Sequence, residues 1–202
     1  MTPTLLKRPK CLLVFSIKDN TSFFTFCQVQ INFFNFGSFP LYNFQKICYT
    51  FFMKKVVIYT DGACSYNPGP GGWGAILFYG NLRKEISGGA NETTNNQMEL
   101  TAVIEALSAL KEPCEVEVFT DSAYVCNAFK QDWISSWLLN NWRNSNKKPV
   151  ANKELWEKLI ELCRKHKVNF NKVKGHADNE FNNRCDELAR LEVEKILTEK
   201  NS

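Results

Sequence analysis

"VEVFTDSAYV" (residues 116–125) is a run of apolar and β-favouring residues that stops at a carboxylate, Asp121. Sixty positions earlier, "VVIYTDGACS" (56–65) does the same and stops at Asp61. The Val, Ile, Tyr and Phe content of both reads as strand. In an open α/β sheet, ligand sites form beyond the carboxyl ends of strands, where the strand order switches. Two strands ending in Asp can therefore bring two carboxylates to one rim. A lone Asp at a strand end is more often a turn former or a helix cap. An internal duplication is the other plain explanation, yet nothing beyond these few residues repeats.

Outward from these two runs the punctuation is regular. "NPGPGG" (67–72) is a turn by composition. "WGAILFY" (73–79) and "LRKEISGG" (82–89) read as strands joined in hairpin fashion through Gly80 and Asn81. The period then changes: "TTNNQMELTAVIEALSAL" (93–110) opens with cap-type residues and aligns Leu100, Val103, Ile104, Leu107 and Leu110, with Pro113 stopping the helix. After the "EVEVFT" strand come a short helix, "SAYVCNAF" (122–129), and a longer one, "NKELWEKLIELCRKH" (152–166), with Asn152 as its expected N-cap. "VNFNKV" (168–173) is a fifth strand. A last helix is predicted from about Asn179 to Leu197, with Cys185, Leu188, Ala189, Val193 and Ile196 inward. Three strands in a meander, then strand-helix alternation, give an α/β fold: a five-stranded mixed sheet, three strands antiparallel and then two parallel, flanked by helices.

Two regions differ in character. Residues 1–52 hold eleven of the sixteen phenylalanines, five Lys/Arg and one Asp, with no sustained period of 2 or 3.6. Its apolar stretch "CLLVFSI" is too short to span a bilayer, and no small-residue cleavage site marks a signal peptide. The expectation is an aromatic-rich extension, disordered or foreign to the working protein, before a domain over 53–202. The alternative is a hydrophobic anchor or targeting segment. Residues 53–202 carry twenty Lys/Arg against twenty Asp/Glu, so the net +4 belongs to the first quarter and overall basicity is poor grounds for nucleic-acid binding. Eight cysteines are scattered without a C-x-x-C pair and only two histidines accompany them, which excludes the usual zinc-finger spacings. Reduced thiols, and hence a cytoplasmic location without a membrane, are expected.

Two further acids bear on the strand-end pair. Glu99 falls in the first turns of its helix, where the dipole favours a carboxylate in any case. Asp186, in "RCDELAR", sits beside Cys185 on an inward stripe. Burying an unpaired carboxylate costs several kcal/mol, so four acids pressed together call for cations. All-oxygen ligands favour magnesium or manganese over zinc.

"YTDGACSYNPGPGGWGAIL" (59–77), "TTNNQMELTAVIEAL" (93–107), "FTDSAYV" (119–125), "KKPVANKELWEKL" (147–159) and "VKGHADNEFNNRCDELA" (173–189) together resemble ribonuclease H of the bacterial type 1 class, over essentially all of residues 53–197. The resemblance implies an RNase H-like fold and an endonuclease that cuts the RNA strand of RNA–DNA hybrids, as a monomer, leaving 5′-phosphate and 3′-hydroxyl ends. It implies that Asp61, Glu99, Asp121 and Asp186 hold two Mg²⁺ ions, with Mn²⁺ as an alternative, one activating water and the other stabilising the leaving oxygen. His176 matches the family's mobile histidine, whose ordinary pKa suits proton movement near neutral pH. His166 is expected to be structural or superficial.

By the same resemblance Asn67, Asn95 and Asn96 reach the minor groove, where an amide can both donate to and accept from a 2′-hydroxyl. Thr94 and Asn152 match a pocket for a DNA phosphate. Asparagines in turns and at helix starts are, more plainly, caps. Ala123 stands where relatives often carry Gln, a departure at one minor-groove contact. "WISSWLLNNWRNSNKK" (133–148) resembles the family's Trp-bearing handle, but Leu138, Leu139, Asn140 and Asn141 replace its basic residues. Residues 143–174 instead hold ten Lys/Arg against three Glu. Of the three tryptophans there, Trp133 and Trp137 are expected in packing and Trp142 at the DNA strand. Two rivals remain: a DNA-cutting nuclease of the integrase or resolvase kind, and a hybrid-binding module without catalysis.

Overall fold

The computed structural model describes residues 53–174 and 179–200. The extension 1–52 and His176 lie outside the described residues. The elements run β1 (Lys54–Cys64), β2 (Gly69–Tyr79), β3 (Leu82–Thr93), α1 (Asn95–Ser108), β4 (Cys114–Thr120), α2 (Ala123–Lys130), α3 (Trp133–Leu139), α4 (Lys153–Lys165), β5 (Lys167–Lys172) and α5 (Glu180–Lys200). They form the expected mixed sheet in the order β3-β2-β1-β4-β5. β1, β2 and β3 pair antiparallel, while β4 lies parallel to both β1 and β5.

The repeated Thr-Asp pair follows from this topology. β1 and β4 pair in parallel from Lys54↔Cys114 to Tyr59↔Phe119, a constant offset of sixty residues. Continued by two residues, that register brings Asp61 abreast of Asp121. Chain direction across the sheet also changes here: the crossover from β3 through α1 returns to the far side of β1, so the β1/β4 boundary is the switch point where such folds bind ligands.

Strand alternation separates the two faces. Val56, Ile58 and Thr60 of β1 and Val116, Val118 and Thr120 of β4 are buried on one face, where Leu100, Val103, Ile104 and Leu107 of α1 and Trp156 and Leu159 of α4 complete the core. Each such aliphatic side chain contributes about 1.5–3 kcal/mol on burial. Asp61 points to the other face, opposite Gly74 of β2. There α5 packs across β1, β2 and β3, burying Cys185, Ala189 and Val193. Its backbone comes so close that a methyl on Gly74 would collide with the Cys185 carbonyl.

Several local expectations are revised. Of the segment read as a turn, Gly69–Gly72 belongs to β2, where Gly71 and Gly72 pair with Cys64 and Ala63. A register shift between Gly69 and Gly71 in the β3 pairing accommodates Pro70, which lacks an N–H to donate. The first helix ends at Ser108, before Leu110. Asn152 precedes α4 in the left-handed region (φ 59°) and makes no side-chain cap. Its amide instead donates to the Tyr124 hydroxyl at 3.3 Å. His166 is buried, its Nδ1 accepting from the Cys114 N–H at 3.2 Å. Burial, with the neighbouring Lys165 charge, holds its ring below the ordinary histidine range.

Candidate active site

Asp61 lies within β1, which does not stop there as expected but continues to Cys64 because Gly62, Ala63 and Cys64 still pair with β2; it is half-buried, and its Oδ1 accepts from the Gly62 N–H at 2.7 Å. Gly62 is needed where it stands, because a methyl would collide with the backbone N of Glu99. That close approach lets the first turns of α1 reach the rim. α1 opens with a full capping box: the Thr94 hydroxyl accepts from Gln97 N–H at 3.4 Å, and Gln97 Oε1 accepts from Thr94 N–H at 2.9 Å. Glu99 is thereby presented toward Ser122, whose hydroxyl donates to Glu99 Oε2 at 2.5 Å, while Asn95 Nδ2 donates to Oε1 at 3.0 Å. Ser122 also caps α2, accepting from Val125 N–H at 3.1 Å. Asp121 immediately precedes it. Asp186 comes from the second turn of α5 and pairs with Arg190 at 3.0 Å.

All four predicted acids line one open groove of about 350 Å³, with Gly62, Ala63, Cys64, Asn95, Ser122 and Ala123 completing its wall. Their proximity has an electrostatic signature. Burial, then the charges of Asp121, Asp186 and Glu99, push Asp61 up to about 8, against the Gly62 hydrogen bond that favours its ionised form. Glu99 is raised as well, chiefly by burial and by Asp121, with Ser122 opposing.

Among the described residues no three His, Cys, Asp or Glu side chains stand close enough to form a finished metal cage. Glu99 and Asp186 are instead engaged by Ser122, Asn95 and Arg190. The donor set nonetheless suits hard divalent cations: it is all oxygen and lies in an open groove, and burial with mutual repulsion pushes Asp61 up to about 8.

The predicted substrate contacts fall in two groups, one joined to the groove through Asn95 and the other at the handle. Asn67 is exposed, and its Oδ1 accepts from the Asn95 N–H at 3.2 Å; Asn96 is exposed beside it. Asn152 lies with Tyr124 near the handle. In the handle Trp137 is buried among Trp133, Trp142 and Trp156, with ring centroids 6.1, 6.2 and 5.3 Å away. Trp142 is half-buried at φ 58°, and the Lys153 ammonium lies 5.8 Å from its ring centroid. Leu138 and Leu139 are exposed.

Sequence reasoning missed Ser122 and the Asn95–Glu99 hydrogen bond. The T-D-S sequence before a helix was a readable capping signal for the former.

A family profile described as RNase H matches residues 53–194. Among curated relatives, a ribonuclease H of Chlorobium phaeovibrioides is 62% identical over 142 residues, covering 70% of this chain and 97% of the relative. A ribonuclease H of Acetivibrio thermocellus is 61% identical over 143 residues, covering 71% and 97%. Among solved structures, LC9-RNase H1, described as a type 1 RNase H with the type 2 active-site motif, aligns with TM-score 0.64 and 27% identity over 71% of this chain and 74% of that one. LC11-RNase H1 in complex with an RNA/DNA hybrid aligns with TM-score 0.56 and 28% identity, covering 70% and 99%.

Proposed function

From the premise that the chain belongs to the ribonuclease H family, we propose that it hydrolyses the RNA strand of RNA–DNA hybrids, with residues 53–202 as the catalytic domain. The observation that carries the reading is the convergence of Asp61, Glu99, Asp121 and Asp186 on one groove at the switch point of the sheet. These four would hold two divalent cations, Mg²⁺ or Mn²⁺. When bound there, such cations supply charge neutralisation at the scissile phosphate and lower the pKa of an attacking water.

The chain's own side chains do the rest. Ser122 and Asn95 orient the Glu99 carboxylate. Asn67, Asn95 and Asn96 offer amides to the 2′-hydroxyls of the RNA strand, and their absence on the DNA strand supplies the discrimination. Thr94 and Asn152 receive a DNA phosphate, and Trp142 stands beside the sugar-phosphate path. His176 assists by moving a proton at the attacking water or by releasing product, and the ends left are a 5′-phosphate and a 3′-hydroxyl. A monomer suffices for this chemistry, since every residue named is on one chain. The cytoplasm is the compartment of this reading. Among the described residues no helix is long and apolar enough to cross a membrane.

The test is incubation of the full chain with labelled hybrid, duplex RNA and duplex DNA, in magnesium or in chelator. Only the hybrid's RNA strand is cut, and only with the cation. Asp121→Asn abolishes cutting while retaining hybrid in a mobility assay; normal turnover of that variant would remove Asp121 from the mechanism. Cleavage of duplex DNA would favour the resolvase-like reading, and retention of hybrid without cutting the binding module.

A further inference from the structure

α5 is fastened along β3 by three long-range contacts at a spacing of eight helical residues. Arg184 meets Glu85, Glu192 Oε1 accepts from the Ser87 hydroxyl at 2.7 Å, and Lys200 Nζ donates to the Asn91 carbonyl at 3.2 Å. The first is the most elaborate. Arg184 Nη2 donates to Glu85 Oε2 at 3.0 Å while Nε reaches both Glu85 oxygens, Oε2 at 3.3 Å and Oε1 at 3.4 Å, and Nη1 donates to Glu187 Oε2 at 2.7 Å. Arg83 Nη2 also holds Glu85 Oε1 at 2.5 Å. The partners are only partly exposed, 35% for Arg184 and 28% for Glu85, and a forked guanidinium–carboxylate pair fixes direction as well as distance.

Arg184 is two residues before Asp186. On a helix that is a rotation of about 200°, so a side chain reaching outward to β3 sends its second neighbour back toward the groove. Cys185, between them, is buried, with its carbonyl against Gly74. Glu85 sits opposite Ile76, and Ile76 opposite Tyr59, two residues before Asp61. A strand ladder and one ionic fork therefore connect Asp61 to Asp186 without passing through a loop.

We propose that Glu85 is a positioning residue: by gripping Arg184 it sets the roll of α5 and so the direction in which Asp186 faces Asp61. The proposal rests on the cation-holding role given to these acids above. Glu85 touches neither the substrate nor the acids, and it acts only through the helix.

The experiment compares Glu85→Gln with Ser87→Ala, which breaks the next contact of the same seam, about one turn farther from Asp186. Mn²⁺ binding to the hybrid-free full chain is measured by calorimetry, beside the Mg²⁺ dependence of kcat and the KM for hybrid. In Glu85→Gln the Mn²⁺ dissociation constant and the Mg²⁺ midpoint rise about tenfold, the low end of the loss expected when a ligand-orienting partner is removed, with KM unchanged. In Ser87→Ala both stay at the parent's values even where its Tm falls. Glu85→Arg with Arg184→Glu restores the cation affinity. Equal shifts in Glu85→Gln and Ser87→Ala, no shift in Glu85→Gln, or a swap no better than the single variant would each overturn the proposal. Should the unmodified chain leave hybrid uncut, the ribonuclease reading falls by itself, and the calorimetric comparison still decides the role of Glu85.

Discussion

Asp61→Asn removes the charge that its surroundings least tolerate, and its effect on stability can be worked out. An unfolded Asp loses its proton near pH 4, whereas Asp61 in the folded protein keeps its proton up to about 8. Between those limits the folded state binds the extra proton, so stability falls as pH rises; below about pH 4 the group contributes nothing, and above about pH 8 the penalty is complete. At pH 7 the ceiling is about 4 kcal/mol, three pH units at about 1.4 kcal/mol each. Water and counter-ions in an open groove lower that, and about 2 kcal/mol is the working expectation. For a domain of this size it amounts to about 4–8 °C in Tm. In chelator at pH 7, Asp61→Asn therefore melts above the parent, and the gap widens from pH 5 to pH 8. Added Mg²⁺ raises the parent's Tm by binding the native state and raises the variant's less. A variant that melts at or below the parent in chelator, or a gap independent of pH, would refute the electrostatic argument.

Two further predictions concern the handle and its support. Tyr124→Phe strips a hydroxyl that accepts from the fully buried Trp156 indole N–H at 2.9 Å and from Asn152 Nδ2 at 3.3 Å. An orphaned buried donor costs about 1–3 kcal/mol, so the urea midpoint falls; an unchanged midpoint would contradict the accounting. Leu138→Lys with Leu139→Lys replaces side chains 46% and 84% exposed, leaving stability within about 0.5 kcal/mol. The KM for hybrid falls and the logarithmic salt slope steepens by about 0.9 for each new phosphate contact. Unaltered KM and slope would mean that the handle does not touch the hybrid.

The fold was legible where information is local and periodic. β-favouring composition marked the strands, the Leu100-to-Leu107 stripe marked α1, and the matched Thr-Asp pairs suggested that Asp61 and Asp121 share a rim, which the parallel β1–β4 register then explains. The Gly-Pro segment was misread because its strand character is imposed from far away: Gly71 and Gly72 pair with Cys64 and Ala63 while α5 lies on β2. Asn152 looked like a cap because the residue type fits, but Tyr124 claims its amide. The four acids were readable as a set only through the block pattern around them. The groups that orient them were less so: Ser122 and Glu99 are 23 residues apart, and Glu85 and Arg184 are 99 apart. No local period encodes such pairs.

The central claim, that the four carboxylates converge to hold divalent cations beside a hybrid, is met most directly by anomalous diffraction from crystals of Asp121→Asn bound to hybrid and soaked in Mn²⁺, compared with the parent chain bound to an uncleavable hybrid. The account predicts two manganese peaks among Asp61, Glu99, Asp121 and Asp186 in the parent, and a weakened or missing peak in the variant. Manganese bound elsewhere on the domain, with none between these side chains, would contradict it.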